Sequence, residues 1–199
     1  MNEHDKAKPW LILPMETKAR EFHAKTLLAA TAAARGYDVL LGEQNALLAQ
    51  LTHLPRGLYL DKSVARTKSA HFRKLHDLGF KIGAWCEEGL VYRNRDAYLR
   101  ERVDVDNLEM TERFFAWGPV QAADMAAKAS NADRIVQTGN ARGDMLRPEL
   151  RGIYEAEAAD CRSRHGPYIL INTNFSRSLP FLSSYLSLFP FFLSLLLSF

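Results

Sequence analysis

Short apolar segments alternate with longer helical patterns along most of this chain, and this alternation constrains the fold more than any other feature. The segment Trp10–Met15 (WLILPM), for example, precedes an alanine-rich helical pattern that stops at Gly36. Such alternation is typical of β-α-β units with parallel strands. We therefore expect an α/β protein with a Rossmann-like, doubly wound parallel sheet. Strands are predicted at 10–15, 38–42, 57–61, 80–86, 113–118 and 134–138, and helices at 17–35, 44–54, 66–78, 94–103, 119–129 and 149–164.

The pattern also suggests a division of the chain into segments. We predict a polar N-terminal tail, one Rossmann-like domain, a linker helix, the first strand of an incomplete second domain and an apolar low-complexity tail. These segments cover residues 1–9, 10–148, 149–166, 167–177 and 178–199, respectively.

The last segment, 178–199, has no charged residue and no glycine, and it is built from Ser, Leu, Phe, Pro and one Tyr. A membrane anchor is one interpretation, since a span needs roughly 20 apolar residues. The serines and Pro190 weaken that interpretation, and the dominant amino acids share pyrimidine-rich codons. We therefore favour the alternative that the tail is the product of a frameshifted or compositionally biased coding end.

Charge and cysteine content indicate an intracellular protein that does not bind nucleic acid. The net charge of +3 permits contact with phosphate or an anionic surface without requiring it. Cys86 and Cys161 are far apart and lack a CxxC partner, which fits a reducing compartment. Residues 1–8 are polar and resemble no leader peptide. We expect a cytoplasmic location, with association at the inner face of the membrane if the tail is an anchor.

Ligands of parallel sheets bind at the carboxyl ends of the strands, so the loop after the first predicted strand is a candidate site. It contains Glu16, Lys18 and Arg20 at the start of a helix. The backbone N–H groups there, with the two cations, could hold an anionic group. The equally plausible alternative is a surface helix start with an acidic first turn and an ion pair.

The loop after the apolar segment FKIGAW contains Glu87, Glu88 and Gly89. Two adjacent carboxylates at a strand end could supply a general base with a pKa raised by burial and by like charge, and Gly89 could let a ligand approach the backbone. Alternatively, the carboxylates point in different directions, and one caps a helix or pairs with Arg93 or Arg95.

A third loop follows the predicted strand at 134–138 and contains Gly139, Asn140, Arg142 and Asp144. Its glycines permit unusual backbone angles, so it could line a cleft between domains. It matches neither the dinucleotide fingerprint nor the Walker A loop, so no cofactor is predicted. The six histidines include no pair at metal-ligand spacing, since His71 and His76 would lie on different helix faces, and no metal site is predicted.

The segment 62–76 carries five Lys or Arg residues and two histidines without an acid. It could contact lipid phosphates or a charged acceptor, although a solvated helix surface is the more common explanation.

Several segments in fixed order resemble bacterial surface-carbohydrate biosynthesis proteins of the GT-B glycosyltransferase type. They are ETKAREFHAK, AWCEEGL, FFAWGPVQAADM, RIVQTGNARGDMLRPE and YILINTNFS, and the resemblance covers about residues 10–176. The resemblance implies two facing Rossmann-like domains. The first binds a glycan or lipid-linked sugar acceptor, and the second binds a nucleotide sugar.

Transferred to this sequence, the resemblance makes Glu87 or Glu88 the base candidate and lets the loop TGNARGD line the cleft. It also implies that the donor domain is missing after INTNFS, so that nucleotide sugar would bind only if that domain were supplied and the chain would be catalytically incomplete. Two other functions fit the sequence. One is a fragment of a sugar-nucleotide 2-epimerase, and the other is a membrane-anchored, non-catalytic glycan-binding module.

Overall fold

The computed structural model describes residues 8–92 and 94–167 of the chain, which divides into two compact units, residues 1–153 and 154–199. The first unit holds six strands: β1 Trp10–Met15, β2 Asp38–Glu43, β3 Gly57–Asp61, β4 Lys81–Ala84, β5 Arg113–Ala116 and β6 Ile135–Gln137. Its α-helices are α1 Lys18–Ala34, α2 Gln44–Ala49, α3 Ser69–Asp77, α4 Arg95–Arg102, α5 Val105–Glu109, α6 Pro119–Ala126 and α7 Ala141–Asp144.

All strand pairs of the sheet are parallel, and the strand order is β2-β1-β3-β4-β5-β6. The predicted α/β class with a Rossmann-like parallel sheet is therefore confirmed. The strand β1 lies between β2 and β3, and Trp10 is in register with Asp38 on one side and Gly57 on the other. Such a strand is covered on both faces, which explains why WLILPM is a continuous apolar run.

The two faces of the sheet bury separate hydrophobic cores. The larger core joins strand residues such as Ile12 and Phe114 to helix residues from α2 to α6, including Phe72 and Met125. The smaller core joins Leu13 and its neighbours to the apolar face of α1. Helices on both faces are the expected result of right-handed crossovers when the chain first moves to one side of β1 and then to the other.

Most differences from the predicted elements lie at helix ends. The helix α2 stops at Ala49 rather than continuing to residue 54, and Leu51 is buried in the turn that follows. The unpredicted α5 is only five residues long and starts where Asp104 caps the N–H of Asn107 at 3.1 Å. Short helices of this kind are set by caps and packing, which hydrophobic periodicity does not detect.

The described part of the second unit contains α8 Glu155–His165. A 3-10 helix at Pro148–Tyr154 occupies the first turns of the predicted linker helix, where Gly152 weakens α-helix formation. Acidic residues occupy the first turn of α8 and basic residues its last turn, which complements the helix dipole. The predicted strand from residue 168 onward and the apolar tail at 178–199 lie outside the described residues.

We predict that Gly57→Ala destabilises the sheet. A Cβ atom there would lie 2.3 Å from the carbonyl oxygen of Trp10 and 2.6 Å from its Cβ, so β3 would have to move away from β1. Overpacking of this kind costs about 1–3 kcal/mol. Urea unfolding followed by circular dichroism measures the loss.

The matched control is Gly143→Ala, because a Cβ on that helical glycine has no atom within 4 Å. It should leave the free energy of unfolding unchanged or raise it by up to about 1 kcal/mol. Equal midpoints for the Gly57→Ala variant and the wild type would contradict the predicted close packing of β1 and β3.

Candidate functional site

A polar pocket of about 170 Å³ lies at the carboxyl edge of the sheet, beside the place where the strand order reverses. The chain leaves β1 for β2 on one side and returns to form β3 on the other, so the loops after β1 and β3 diverge. Ligands of open α/β sheets bind at such a switch point. The charged residues lining this pocket come from four segments: Glu16, Lys62, Lys68, Glu87, Glu88 and Arg102.

A buried ion pair fixes the turn between β1 and α1. Lys25 Nζ lies 2.7 Å from Glu21 Oε2, and both side chains are almost fully buried. Lys25 also donates to the backbone carbonyl of Pro14, while Glu21 accepts from the N–H of Thr17 at 3.0 Å and from the N–H of Glu16 at 3.3 Å. These two N–H groups are thus bound by the chain's own carboxylate. At this loop the structure has the ion-paired helix start, the alternative to an anion site.

Each carboxylate of the pocket contacts a cation from another element. Glu16, after β1, contacts Lys62, after β3, and lies 3.8 Å from Arg20 on its own helix. Glu88 contacts Arg102 at the end of α4. One ion pair thus joins the loops after β1 and β3, and the other joins the loop after β4 to α4.

The adjacent carboxylates Glu87 and Glu88 point in different directions. The Glu87 side chain is 3% exposed and lies 3.2 Å from Arg142 Nη1, whereas that of Glu88 is 46% exposed. Arg142 also donates to the backbone carbonyl of Glu87 at 3.3 Å. The second and third predicted loops therefore meet. Of the anticipated alternative partners, Arg95 binds Asp124 instead, and Arg93 lies outside the described residues.

Two lysines, Lys62 and Lys68, line the pocket. Lys68 Nζ lies 3.1 Å from Gln44 Oε1 and 3.5 Å from Asp61 Oδ1, so its position is fixed. Burial lowers the pKa of Lys62, and the positive charge of Lys68 lowers it further, whereas the charges of Glu88 and Glu87 act in the opposite direction. The pocket thus holds cations close enough to repel each other.

A fully buried carboxylate, Asp61, lies behind these lysines at the end of β3. Its Oδ1 accepts the N–H of Ser63 at 3.1 Å, and its Oδ2 lies 3.3 Å from His71 Nε2. The side chain of His76 is by contrast largely exposed, so the two histidines lie on different faces of α3, as predicted. The basic segment 62–76 is therefore only partly a solvated surface, because Lys62, Lys68 and His71 turn inward.

A side chain of the protein itself closely approaches the backbone at Gly89. A Cβ at this position would lie 2.1 Å from Gln121 Nε2. Gln121 donates to the carbonyl of Gly89 at 3.2 Å and to Tyr98 Oη at 2.8 Å, and its Oε1 accepts the N–H of Trp117. The indole N–H of Trp117 donates to the carbonyl of Cys86 at 2.6 Å. The loop after β4 is thus held by side chains that follow β5.

The third predicted loop forms a turn followed by the short helix α7. Gly139 has a φ of 78°, and Asn140 Oδ1 accepts the N–H of Arg142 at 2.9 Å. The buried Nδ2 of Asn140 has no hydrogen-bond partner among the described residues. This loop delivers Arg142 to Glu87, while Asp144 turns away to pair with Arg147 at 2.9 Å.

The remaining predicted residues of the first loop lie beside the pocket rather than in it. Lys18 Nζ sits 5.6 Å from the centre of the Phe22 ring, and Arg20 pairs with Glu16 and Glu21. The sequence pattern did not indicate that Asp61 and Arg102 belong to this region, and it placed Lys62 and Lys68 in a basic segment with a solvated helix surface. A polar residue that ends a buried strand was the available signal for Asp61.

Within residues 8–92 and 94–167, no group of three His, Cys, Asp or Glu side chains could hold a metal ion. Nor does this part of the chain contain a helix with the length and apolar character needed to cross a bilayer. Comparison with models of protein families, with curated proteins and with solved structures gave no match to this chain.

We predict that Lys25→Met lowers the free energy of unfolding by about 3 kcal/mol at neutral pH. Removing one partner of a buried ion pair leaves the other charge uncompensated, which is why the loss is large. Lys18→Met on the same helix is the matched control, and since its side chain is exposed, it should change stability by less than about 0.5 kcal/mol. Similar losses in both variants would contradict the importance of the buried pair.

The pH dependence of Glu21→Gln tests the same pair. Burial alone raises the pKa of Glu21, but the hydrogen bond and charge of Lys25, with the N–H of Thr17 and the charge of Arg20, outweigh it and lower the pKa below its ordinary value of 4.5. The stabilisation is therefore present above that value and is lost as the pH falls through the folded-state pKa. The difference in free energy of unfolding between wild type and Glu21→Gln, measured with urea, should shrink on acidification. A difference that stays constant with pH would exclude the ionised pair as its source.

Proposed function

We propose that residues 10–148 form the acceptor-binding domain of a surface-carbohydrate glycosyltransferase of the GT-B type. The observation that carries the proposal is the polar pocket at the switch point, which is lined by three glutamates and three cations. The sequence resemblance supports the same class, and the six-stranded parallel sheet is compatible with it, although fold by itself does not determine function.

The chemistry of the pocket fits a ligand rich in hydroxyl groups. Each sugar hydroxyl donates one hydrogen bond and accepts others, so it suits a site in which carboxylates stand beside ammonium and guanidinium groups. Hydrogen bonds to charged partners are the stronger ones. Glu16, Glu87 and Glu88 balance Lys62, Lys68 and Arg102, so the pocket favours a neutral sugar or one with a single phosphate over a highly charged ligand.

Glu88 is the better placed of the two base candidates. Nearly half of its side chain is exposed at the pocket, whereas Glu87 is buried against Arg142. In a transfer reaction the Glu88 carboxylate would take the proton of the acceptor hydroxyl as that oxygen attacks the anomeric carbon of the donor and the nucleoside diphosphate leaves. Glu87 would act as a positioning residue that holds Arg142. The nucleotide sugar itself would be bound by a second domain.

The cysteines support a cytoplasmic location, where sugar nucleotides are used. Cys86 is a free thiol and is buried. Structural disulfides are rare in that compartment. Contact with the inner face of the membrane would be peripheral and would bring the pocket to lipid-linked acceptors.

Binding of sugars to the full chain tests the proposal. Trp117 donates to the residue before Glu87, so its fluorescence should report ligand entry, and Trp10→Phe removes a remote contribution at the other end of β1. We expect hexose 1-phosphates or oligosaccharides to bind, and Arg102→Met or Glu88→Gln to weaken binding about 10-fold or more, as loss of a charged hydrogen bond predicts.

The control variants come from the same helix. Arg100 and Glu101 form a solvent-exposed pair on α4, so Arg100→Met and Glu101→Gln should leave the affinity unchanged. Tight binding of nucleotide sugars without binding of acceptor sugars would overturn the assignment of this domain to the acceptor. An equal loss in the control variants would overturn the assignment of the pocket.

A further inference from the structure

A second concave surface of about 350 Å³ lies next to the polar pocket, and its lining is almost entirely apolar. It is formed by residues 89–92 after β4 and residues 117–121 after β5, and we call it the apolar groove. Three aliphatic side chains at this edge are strongly exposed: Leu90 by 63%, Val91 by 84% and Val120 by 69%. Single exposed apolar residues are common, but a cluster of them around a concavity marks a binding surface.

The apolar groove is preformed, because hydrogen bonds and ring stacking fix its walls. Gln121 joins the two loops through the carbonyl of Gly89 and the N–H of Trp117. Tyr92 stacks on Tyr98 with ring centres 4.2 Å apart, and its hydroxyl donates to Asp124. Because this apolar surface is already ordered, little of its conformational entropy is lost when a hydrocarbon chain binds to it.

In the loop after β4, the boundary between residues that line the polar pocket and residues that line the groove falls between two consecutive positions. Glu88 lines the pocket, and the next residue, Gly89, lines the groove. Charged side chains therefore lie on one side of this boundary, and aliphatic and aromatic ones lie on the other. A ligand that spans both must have a polar end and a hydrocarbon end.

We infer that the apolar groove binds the hydrocarbon chain of an amphiphilic acceptor whose hydroxyl-rich or phosphorylated head occupies the polar pocket. The inference rests on the proposed function and narrows its substrate class to lipid-linked sugars. The chain would lie along Val91 and Val120, where burial removes apolar surface of both ligand and protein from water.

Binding through the groove has a quantitative signature. Each methylene transferred from water into an apolar site is worth about 0.8 kcal/mol, which is about fourfold in affinity. A ligand series of increasing chain length should therefore bind more tightly by a constant factor per methylene. The head group sets the affinity of the shortest member, and the groove sets the increase with length.

The experiment titrates the full chain with n-alkyl glucosides and n-alkyl phosphates, from ethyl to octyl, using tryptophan fluorescence. We expect both series to show the same increase per methylene. In the Val120→Asn and Val91→Asn variants, the factor by which affinity rises per methylene should be at least twofold smaller than in the wild type. Val105→Asn, which replaces an exposed valine on α5, should leave that factor unchanged. Lys62→Met should instead weaken all alkyl phosphates by a common factor and keep the increase.

The outcomes separate the two proposals. If glucose 1-phosphate and short-chain ligands bind but chain length has no effect, the inference fails and the proposed function survives. If no sugar, phosphate or alkyl derivative binds, both fail. If sedimentation shows that the wild type self-associates and Val120→Asn abolishes the association, a second copy covers the groove, and the inference is overturned.

Discussion

The buried ion pair between Glu21 and Lys25 is the interaction on which the candidate site depends most directly. Taking two charges out of water is costly, so the pair depends on the further hydrogen bonds that both side chains make to the backbone. The backbone partners are the carbonyl of Pro14 and the N–H groups of Glu16 and Thr17, that is, the backbone on both sides of the turn after β1. The pair thus fixes where β1 ends and sends the Glu16 side chain across the switch point to Lys62.

The other walls of the pocket are held in the same manner, by hydrogen bonds that extend the sheet beyond its strands. The N–H of Glu87 donates to the carbonyl of Lys62 at 3.1 Å, which continues the pairing of β4 with β3. Asn107, fully buried, donates to the carbonyls of Val64 and Ala65 and anchors the loop after β3. Since these bonds are made by the protein alone, they order the pocket before a ligand binds. Little conformational entropy of the pocket would then be lost on binding.

Sequence reasoning recovered the parts of this protein that depend on local patterns. The strands followed from apolar runs such as WLILPM, and Glu87 and Glu88 followed from their place after a buried strand. The partners of those residues did not follow. Arg142 reaches Glu87, and Arg102 reaches Glu88, because of strand order and helix packing, and contacts across such sequence distances leave no periodic signal. Gly89 was predicted to let a ligand approach the backbone, and the fold instead places the side chain of Gln121 against it.

Several groups at the carboxyl edge work against stability, which is consistent with the proposed binding of a ligand there. Repulsion between Lys62 and Lys68 and the burial of Lys62 lower the pKa of Lys62, so keeping its charge works against folding. Aliphatic side chains exposed at Leu90, Val91 and Val120 also gain nothing for the folded state. Local arrangements that lower stability are expected at functional sites, and here the residues lining the charged and the apolar concavity are consecutive at Glu88 and Gly89. One amphiphilic ligand would offset both costs at once, by hydrogen bonding to the charges and by covering the aliphatic side chains.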